Sequence, residues 1–403
     1  MKILKKENLF IRIAIGFGAG IILGFLAPQF SIDAKIVGDI YLRLIKFMVI
    51  PVLMCAMMTG IINSAGKVSL KRLAVKTVCL YVIMFLASFA VSLGVAMLIR
   101  PGRGIVFENQ PVYDGEGPAS VTLSSVLQKL FPQSLNDVFS SNNILAAILL
   151  SVVLSVIIIA LGEKGKRASR FINRLSDIVF KVLGIVMETS PVGVMFLMAF
   201  SIAEYGSGLF MAIGKYILCC WLACIAVFIV IFLLPVVAFT ETDAVAFLRA
   251  CGKVALMTMS TTSSAATLPT TLKVSIEDLG APPAISNFTL PLGCTINMCG
   301  GACSFCCLAL FVSDFYSLDL PLSRIAAMAV VATLINMAAP GIPGGGIVLM
   351  TSFLTIFGLP VDLIGPVAAF YRLLDMAFTT INVEGDVAAN LLIAKSEADV
   401  IKS

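Results

Sequence analysis

Four polar residues near the end of the chain share one face of a predicted helix. They are Asp375, Thr379, Asn382 and Asp386, and the last three follow the first by 4, 7 and 11 positions. At about 100° per residue, these offsets keep all four side chains within about 40° of one direction. A carboxylate in an apolar setting is costly unless it is paired, and no Lys or Arg lies on this face. The face therefore predicts a site for positively charged ligands.

Two kinds of cation would satisfy these carboxylates. An alkali ion prefers oxygen ligands, which Asp386, Asn382, Asn297 and backbone carbonyls can supply. The ammonium group of a substrate would suit Asp375. Arg372 precedes Asp375 by three residues, and partial neutralisation by its guanidinium is the alternative interpretation.

Two other segments could supply donors for a negatively charged group. The hydroxyl-rich segment 258–273 contains Ser263 and Ser264, and the glycine-rich segment 338–348 contains the run from Gly344 to Gly346. If each segment folds back as a helical hairpin, unpaired N–H groups at the start of its returning helix favour a carboxylate. A serine nucleophile is the enzymatic alternative, but the chain has no His to activate it.

The composition places these polar groups in a membrane protein. Of the 403 residues, 59% are hydrophobic and 13% are charged, against roughly 45–50% and 25% in soluble domains. The net charge of +5 comes from short basic clusters between apolar runs, which the positive-inside rule explains better than nucleic-acid binding does. The 11 cysteines lack the spacing of a disulfide or zinc framework. We expect contact with lipid and none with nucleic acid.

Six apolar runs are long enough to cross a bilayer, which takes about 20 residues per helix. They cover residues 10–28, 40–63, 74–99, 143–161, 177–205 and 209–239. The basic clusters between them fall on one side, which predicts cytoplasmic termini and an external polar stretch at 101–143. Later apolar runs are interrupted by the two polar segments. Irregular backbone at membrane depth is tolerated only inside protein or around a cavity, so the interruptions favour a transporter.

Five motifs in order now identify a family resemblance. They are RLIKFMVIPVLM, SSAATLP, FTLPLGCTINM, PGIPGGG and NVEGD. With them the chain resembles the dicarboxylate/amino acid:cation symporters, the family of glutamate and neutral amino acid transporters. The resemblance implies an all-α polytopic membrane protein with eight transmembrane helices and two re-entrant helical hairpins. It also implies a homotrimer in the cytoplasmic membrane and elevator movement of a transport core.

The same resemblance divides the chain and assigns roles. Residues 1–240 would be mainly scaffold and trimerisation helices, with the third and sixth helices joining the core, and residues 241–403 would be the transport core. Asp375 would bind the substrate amino group, and Asn382 would lie near its carboxylate. The implied substrate-binding residues are Ser263, Ser264, Gly301, Ile342, Gly344, Asp375, Phe378, Thr379 and Asn382. The implied sodium ligands are Gly293, Asn297, Asn382 and Asp386 at one site and Thr295, with hairpin carbonyls, at another.

Departures from the family pattern narrow the expected substrate. Phe378 stands where carriers of acidic substrates have an arginine, and Tyr371 replaces the aspartate that supports it. Gly301 replaces a threonine that contacts the substrate side chain. Burying a second substrate carboxylate against apolar carbon without a partner costs several kcal/mol. A neutral substrate is therefore expected.

Other departures concern the coupled ions. Cys299 replaces the aspartate of a third sodium site, and the third-helix ligands of that site correspond to Ile83, Leu86 and Ala87. Phe305 stands where some relatives have a proton-carrying glutamate. We expect two sodium ions and no proton countertransport through this position.

The resulting expectation is a secondary active transporter, not an enzyme, that carries a small neutral amino acid with sodium. The alternatives are a dicarboxylate or acidic amino acid:cation symporter, a proton-coupled or exchanging amino acid carrier, and a channel or non-transporting sensor that keeps the fold without coupled flux. The sequence leaves the role of Phe378 open. Its ring either narrows the pocket, which favours alanine, serine or threonine, or packs on a larger apolar side chain.

Overall fold

A computed structural model describes residues 9–65, 71–103, 144–206, 208–337 and 345–397, together with Ser134 and Val138. Every regular element among these residues is a helix. Most of the polar stretch at 101–143, which the sequence predicts to be external, lies outside the described residues.

The first part of the chain forms long apolar helices. They are α1 (Leu9–Leu26), α2 (Pro28–Asp33), α3 (Lys35–Ala65), α4 (Lys71–Ile99), α5 (Ile144–Ala160), α6 (Gly165–Glu188), α7 (Ser190–Tyr205), α8 (Gly208–Val227) and α9 (Leu234–Phe239). A π-helical turn, Phe228–Leu233, joins α8 to α9. By length and composition alone, four helical spans in the described part could cross a membrane, and a bent pair would make a fifth.

That bent pair corrects one sequence prediction. The run 177–205 was expected to be a single ordinary helix, but α6 begins earlier, at Gly165, and a bend of 47° separates it from α7. Pro191 stands in the first turn of α7, where the missing proline N–H breaks the hydrogen-bond ladder of a continuous helix. The polar, basic start of α6 lies outside the apolar run, so hydropathy alone misses it.

The second part consists of short and broken helices. They are α10 (Ala244–Thr261), α11 (Ser264–Lys273), α12 (Pro283–Ile296), α13 (Cys299–Phe315), α14 (Leu322–Asn336), α15 (Gly345–Ile356) and α16 (Ile364–Ser396). The pairs α10/α11 and α14/α15 are the two hairpins. The pair α12/α13 is a seventh span that unwinds between its halves, and α16 is the eighth.

Local backbone chemistry explains each interruption. Thr262 ends α10 in the left-handed conformation, with φ of 47°, and the Ser263 hydroxyl then caps α11 by accepting a hydrogen bond from the Ala266 N–H. In the seventh span the helix ends at Ile296, and Asn297 and Met298 are not helical. These breaks free backbone groups inside the protein, and α16 runs beside them.

Candidate functional site

A small cavity lies where both hairpins meet the broken seventh span and α16. Its volume is about 70 Å³. Its described lining comprises Thr262, Ser264, Met298, Gly301, Ser304, Phe305, Asn336, Gly346, Leu349, Tyr371, Asp375, Phe378, Thr379 and Asn382. Six of the predicted substrate-binding residues line this cavity: Ser264 on α11, Gly301 on α13, and Asp375, Phe378, Thr379 and Asn382 on α16.

Asp375 supplies the carboxylate of the cavity. Its Oδ1 accepts hydrogen bonds from the Thr379 hydroxyl at 3.2 Å and from the Tyr371 hydroxyl at 3.4 Å. The Tyr371 hydroxyl also packs against Gly346, where a Cβ would lie only 1.8 Å from Oη. Glycine at 346 is thus required for this tyrosine to reach Asp375.

Arg372 is directed to the first hairpin. Its guanidinium donates hydrogen bonds to the Thr262 hydroxyl and, at 2.8 Å, to the Ser260 carbonyl. The guanidinium therefore fastens α16 to the turn between α10 and α11. In the described part of the cavity, no lysine or arginine side chain contributes to the lining.

The start of α13 is held against α16 by a hydrogen bond and by a close backbone contact. The Gly300 N–H donates a hydrogen bond to Asn382 Oδ1 at 2.7 Å, and a Cβ on Gly300 would lie 2.1 Å from the Phe378 carbonyl oxygen. This close approach places the Phe378 side chain, which is buried, in the cavity wall beside Phe305. An apolar ring therefore occupies the position at which the family resemblance implies an arginine in carriers of acidic substrates.

A second polar cluster surrounds Asp386, on the next turn of α16. Asn297 Nδ2 donates a hydrogen bond to Asp386 Oδ1 at 2.9 Å. Asp386 is buried, and its Oδ2 has no hydrogen-bond partner among the described residues. The Cβ that Gly293 lacks would lie 2.3 Å from Asp386 Oδ1. A buried carboxylate oxygen without a donor, beside the carbonyl-rich end of α12, fits a hard cation with oxygen ligands.

The remaining predicted residues are placed as follows. The Thr295 hydroxyl donates to the Leu292 carbonyl of its own helix, at 2.9 Å, beside the break in the seventh span. The Ser263 hydroxyl is occupied as the cap of α11, whereas Ser264 lines the cavity. Ile342 and Gly344 lie outside the described residues.

The third-helix positions predicted to match the third sodium site require a correction. Ile83 and Leu86 are 62% and 39% exposed, on the outer face of α4, so their positions cannot be those that face Asn297. The residue of α4 beside Cys299 is Ser88, which is buried. One hydroxyl therefore remains in this region, although the aspartate of that site is still replaced by Cys299.

Sequence reasoning missed several polar residues of the core. The Tyr81 hydroxyl donates to the Thr289 carbonyl at 2.8 Å, the Thr289 hydroxyl to Asn390 Oδ1 at 2.6 Å, and Asn390 Nδ2 to the Ser286 hydroxyl at 3.0 Å. Asn390 follows Asp386 by four positions and extends the polar face already recognised on α16. Asn336, which lines the cavity from α14, was also missed because a lone amide in an apolar run carries no pattern.

The described residues of the site do not form a cluster of transition-metal ligands. Within the described ranges, no group of three or more His, Cys, Asp or Glu side chains could hold a metal ion. Clusters of one carboxylate with amide and carbonyl oxygens, like that around Asp386, suit alkali ions instead.

Comparison with known proteins places this geometry in a family. Residues 9–396 match the model of the sodium:dicarboxylate symporter family. The chain is 26% identical to the proton/glutamate-aspartate symporter of Bacillus subtilis (strain 168), over 97% of this chain and 95% of the relative. It is 29% identical to neutral amino acid transporter B(0) of Oryctolagus cuniculus, over 95% and 79%. It is 25% identical to the C4-dicarboxylate transport protein of Pseudomonas fluorescens (strain Pf0-1), over 96% and 89%.

These relatives are transporters rather than enzymes, and the substrates in their names span acidic amino acids, dicarboxylates and neutral amino acids. The match runs through both hairpins, the unwound seventh span and the polar face of α16. The chain belongs to the sodium:dicarboxylate symporter family of membrane transporters.

Proposed function

We propose that this protein is a sodium-coupled symporter that carries a small neutral amino acid across the cytoplasmic membrane. The observation that carries the proposal is the lining of the 70 Å³ cavity, which combines the Asp375 carboxylate with the Phe378 side chain and, in its described part, no basic residue. A carboxylate suits the substrate ammonium group. An apolar wall without a cation disfavours a second substrate carboxylate, whose burial would cost several kcal/mol.

The size of the cavity supports a small substrate. At about 70 Å³, the cavity favours an amino acid with few side-chain atoms, such as alanine or serine. Phe305 and Phe378 then narrow the pocket rather than pack on a large apolar side chain.

We assign the coupled ion to the Asp386 cluster. Asp386 Oδ2 is buried without a donor in the described part of the chain, and Asn297, Asn382 and Gly293 bring further oxygens to the same region. Thr295 and hairpin carbonyls would hold a second ion. With Cys299 in place of the third-site aspartate, the proposed stoichiometry is two sodium ions per substrate.

The proposed architecture follows the family. Residues 241–403, with the third and sixth helices, would move as a transport core against a scaffold of mainly residues 1–240. Three copies would form a homotrimer with both termini in the cytoplasm.

Uptake into proteoliposomes tests the proposal. With an inward sodium gradient, alanine and serine should accumulate, whereas glutamate and succinate should neither accumulate nor compete. Replacing sodium by choline should remove the uptake. Asp375→Ala should abolish amino acid binding, measured by thermal stabilisation. Sodium-independent uptake, or strong competition by succinate, would contradict the proposal.

A further inference from the structure

Asn336 is a polar group of the cavity that the proposed function does not use. It closes α14, it is 2% exposed, and it lines the cavity. Its Nδ2 donates a hydrogen bond to the Met298 carbonyl at 2.9 Å. This bond fixes the orientation of the amide, because Nδ2 is the donor and Oδ1 must point elsewhere.

The amide oxygen points over Gly301. A Cβ on Gly301 would lie 2.0 Å from Asn336 Oδ1 and 2.8 Å from its Cγ. Asn336 thus enters the space that a side chain at 301 would otherwise fill. Oδ1 accepts no hydrogen bond from any residue that the structure describes, and Asn336 lines the cavity, so this oxygen is available to accept a hydrogen bond from a ligand there.

Asp375 and Asn382, two other polar residues at the cavity, already accept hydrogen bonds from the protein. Asp375 accepts from Tyr371 and Thr379 and suits the substrate ammonium group. Asn382 Oδ1 accepts from the Gly300 N–H. An acceptor therefore remains on the α13–α14 side of the cavity, beside Gly301.

We propose that Asn336 Oδ1 is a specificity-determining acceptor that binds a hydrogen-bond donor on the substrate side chain, so that a hydroxylated amino acid is preferred to an apolar one of equal size. This inference rests on the proposed function and adds the chemistry of the side chain to it. Discrimination is strong in this direction because the apolar analogue leaves the buried acceptor unpaired. Ser304, the neighbouring hydroxyl of the lining, can rotate to serve as donor or acceptor and does not impose this choice.

A pair of isosteric ligands provides the test. L-Serine and L-2-aminobutyrate have the same number of non-hydrogen atoms and differ by a hydroxyl in place of a methyl group. Competition with labelled substrate in sodium should give an affinity about tenfold higher for serine in the wild-type protein. Equal affinities would overturn the inference while leaving the proposed function intact. Binding of glutamate or succinate in place of both ligands would overturn the two together.

Variants assign the preference to the residue. Asn336→Ala should bring the serine to 2-aminobutyrate ratio to about one, with little change for 2-aminobutyrate, and Ser304→Ala should keep the ratio. Thr333→Val is the matched control on the same helix, because the Thr333 hydroxyl donates to the Ala329 carbonyl, away from the cavity. If Asn336→Ala keeps the ratio and shifts only the sodium concentration for half-maximal binding, the oxygen serves the ion and the inference is wrong.

Discussion

Asn297 Nδ2 donates a hydrogen bond to one oxygen of Asp386, at 2.9 Å, while the second oxygen of Asp386 is buried without a partner in the described part of the chain. The pair joins the unwound point of the seventh span to α16. A cation at the open oxygen would complete this junction. Ion binding and closure of the seventh span onto α16 are therefore expected to be coupled.

Asp386→Asn should abolish sodium-dependent stabilisation and uptake. The amide keeps the shape of the side chain but removes the charge that offsets the desolvation of the ion. Breaking a buried charge pair costs about 3–5 kcal/mol, which lowers sodium affinity by at least about 100-fold. The measurement is the unfolding temperature of purified protein as a function of sodium concentration. Asp319→Asn, at an exposed position, is the control, and an unaltered sodium titration in Asp386→Asn would contradict the assignment.

Gly293→Ala should weaken the same site for a steric reason. The added Cβ would lie 2.3 Å from Asp386 Oδ1 and 2.8 Å from the Tyr81 hydroxyl, and both groups are buried on other helices. The carboxylate must move, so we expect a lower unfolding temperature and a reduced sodium effect. Gly214→Ala, within α8, is the control because its Cβ would meet nothing within 4 Å. Its expected effect is neutral to slightly stabilising, by up to about 1 kcal/mol. Equal behaviour of the two variants would refute the steric argument.

The polar face of α16 was predictable because helical periodicity fixes the relative direction of residues on one helix. The break at Ser263 was predictable as an interruption of an apolar run, whereas the break at Asn297 lies within the run 284–311 and was not predicted. The rotation of α4 about its own axis was not predictable, because its faces are nearly equally apolar. The sequence therefore suggested that Ile83 faces the site, whereas its side chain faces outward. The role proposed for Asn336 depends on the space above Gly301, a relation between two helices that no local pattern encodes.

Lys76 is predicted to stabilise the end of α16 in a pH-dependent way. Its Nζ donates to Glu397 Oε1 at 2.6 Å and to the Ser396 carbonyl at 3.2 Å. The hydrogen bond from Lys76 holds the pKa of Glu397 below its ordinary value of 4.5. Because this pKa is depressed in the folded state, the stabilisation is present above about pH 4.5 and is lost as the pH falls through the folded-state value.

Thermal unfolding of Lys76→Met beside the wild type measures this effect. At neutral pH the variant should be less stable by up to about 1 kcal/mol, since the pair is partly exposed, and the difference should shrink in acid. Lys273→Met, which removes a well-exposed pair with Glu277, should show little difference at any pH. A Lys76→Met deficit that persists unchanged at about pH 3 would exclude the ion pair as its cause.

Phe378→Arg tests the claim that substrate charge is set at one position. A guanidinium in the cavity wall could pair bidentately with the side-chain carboxylate of aspartate or glutamate. Alone, the buried arginine has only Asp375, the carboxylate proposed for the substrate ammonium group, as a partner in the cavity, so we expect it to lower stability and to weaken alanine binding. Tyr371→Asp, on the same face two turns earlier, would supply a further partner. We expect the double variant to be more stable than Phe378→Arg and to bind aspartate in preference to alanine.

Phe378→Leu, which keeps an apolar wall, should retain alanine binding. Labelled aspartate and alanine uptake measures the switch, and a double variant that folds, binds alanine and ignores aspartate would show that charge selection lies elsewhere in the cavity.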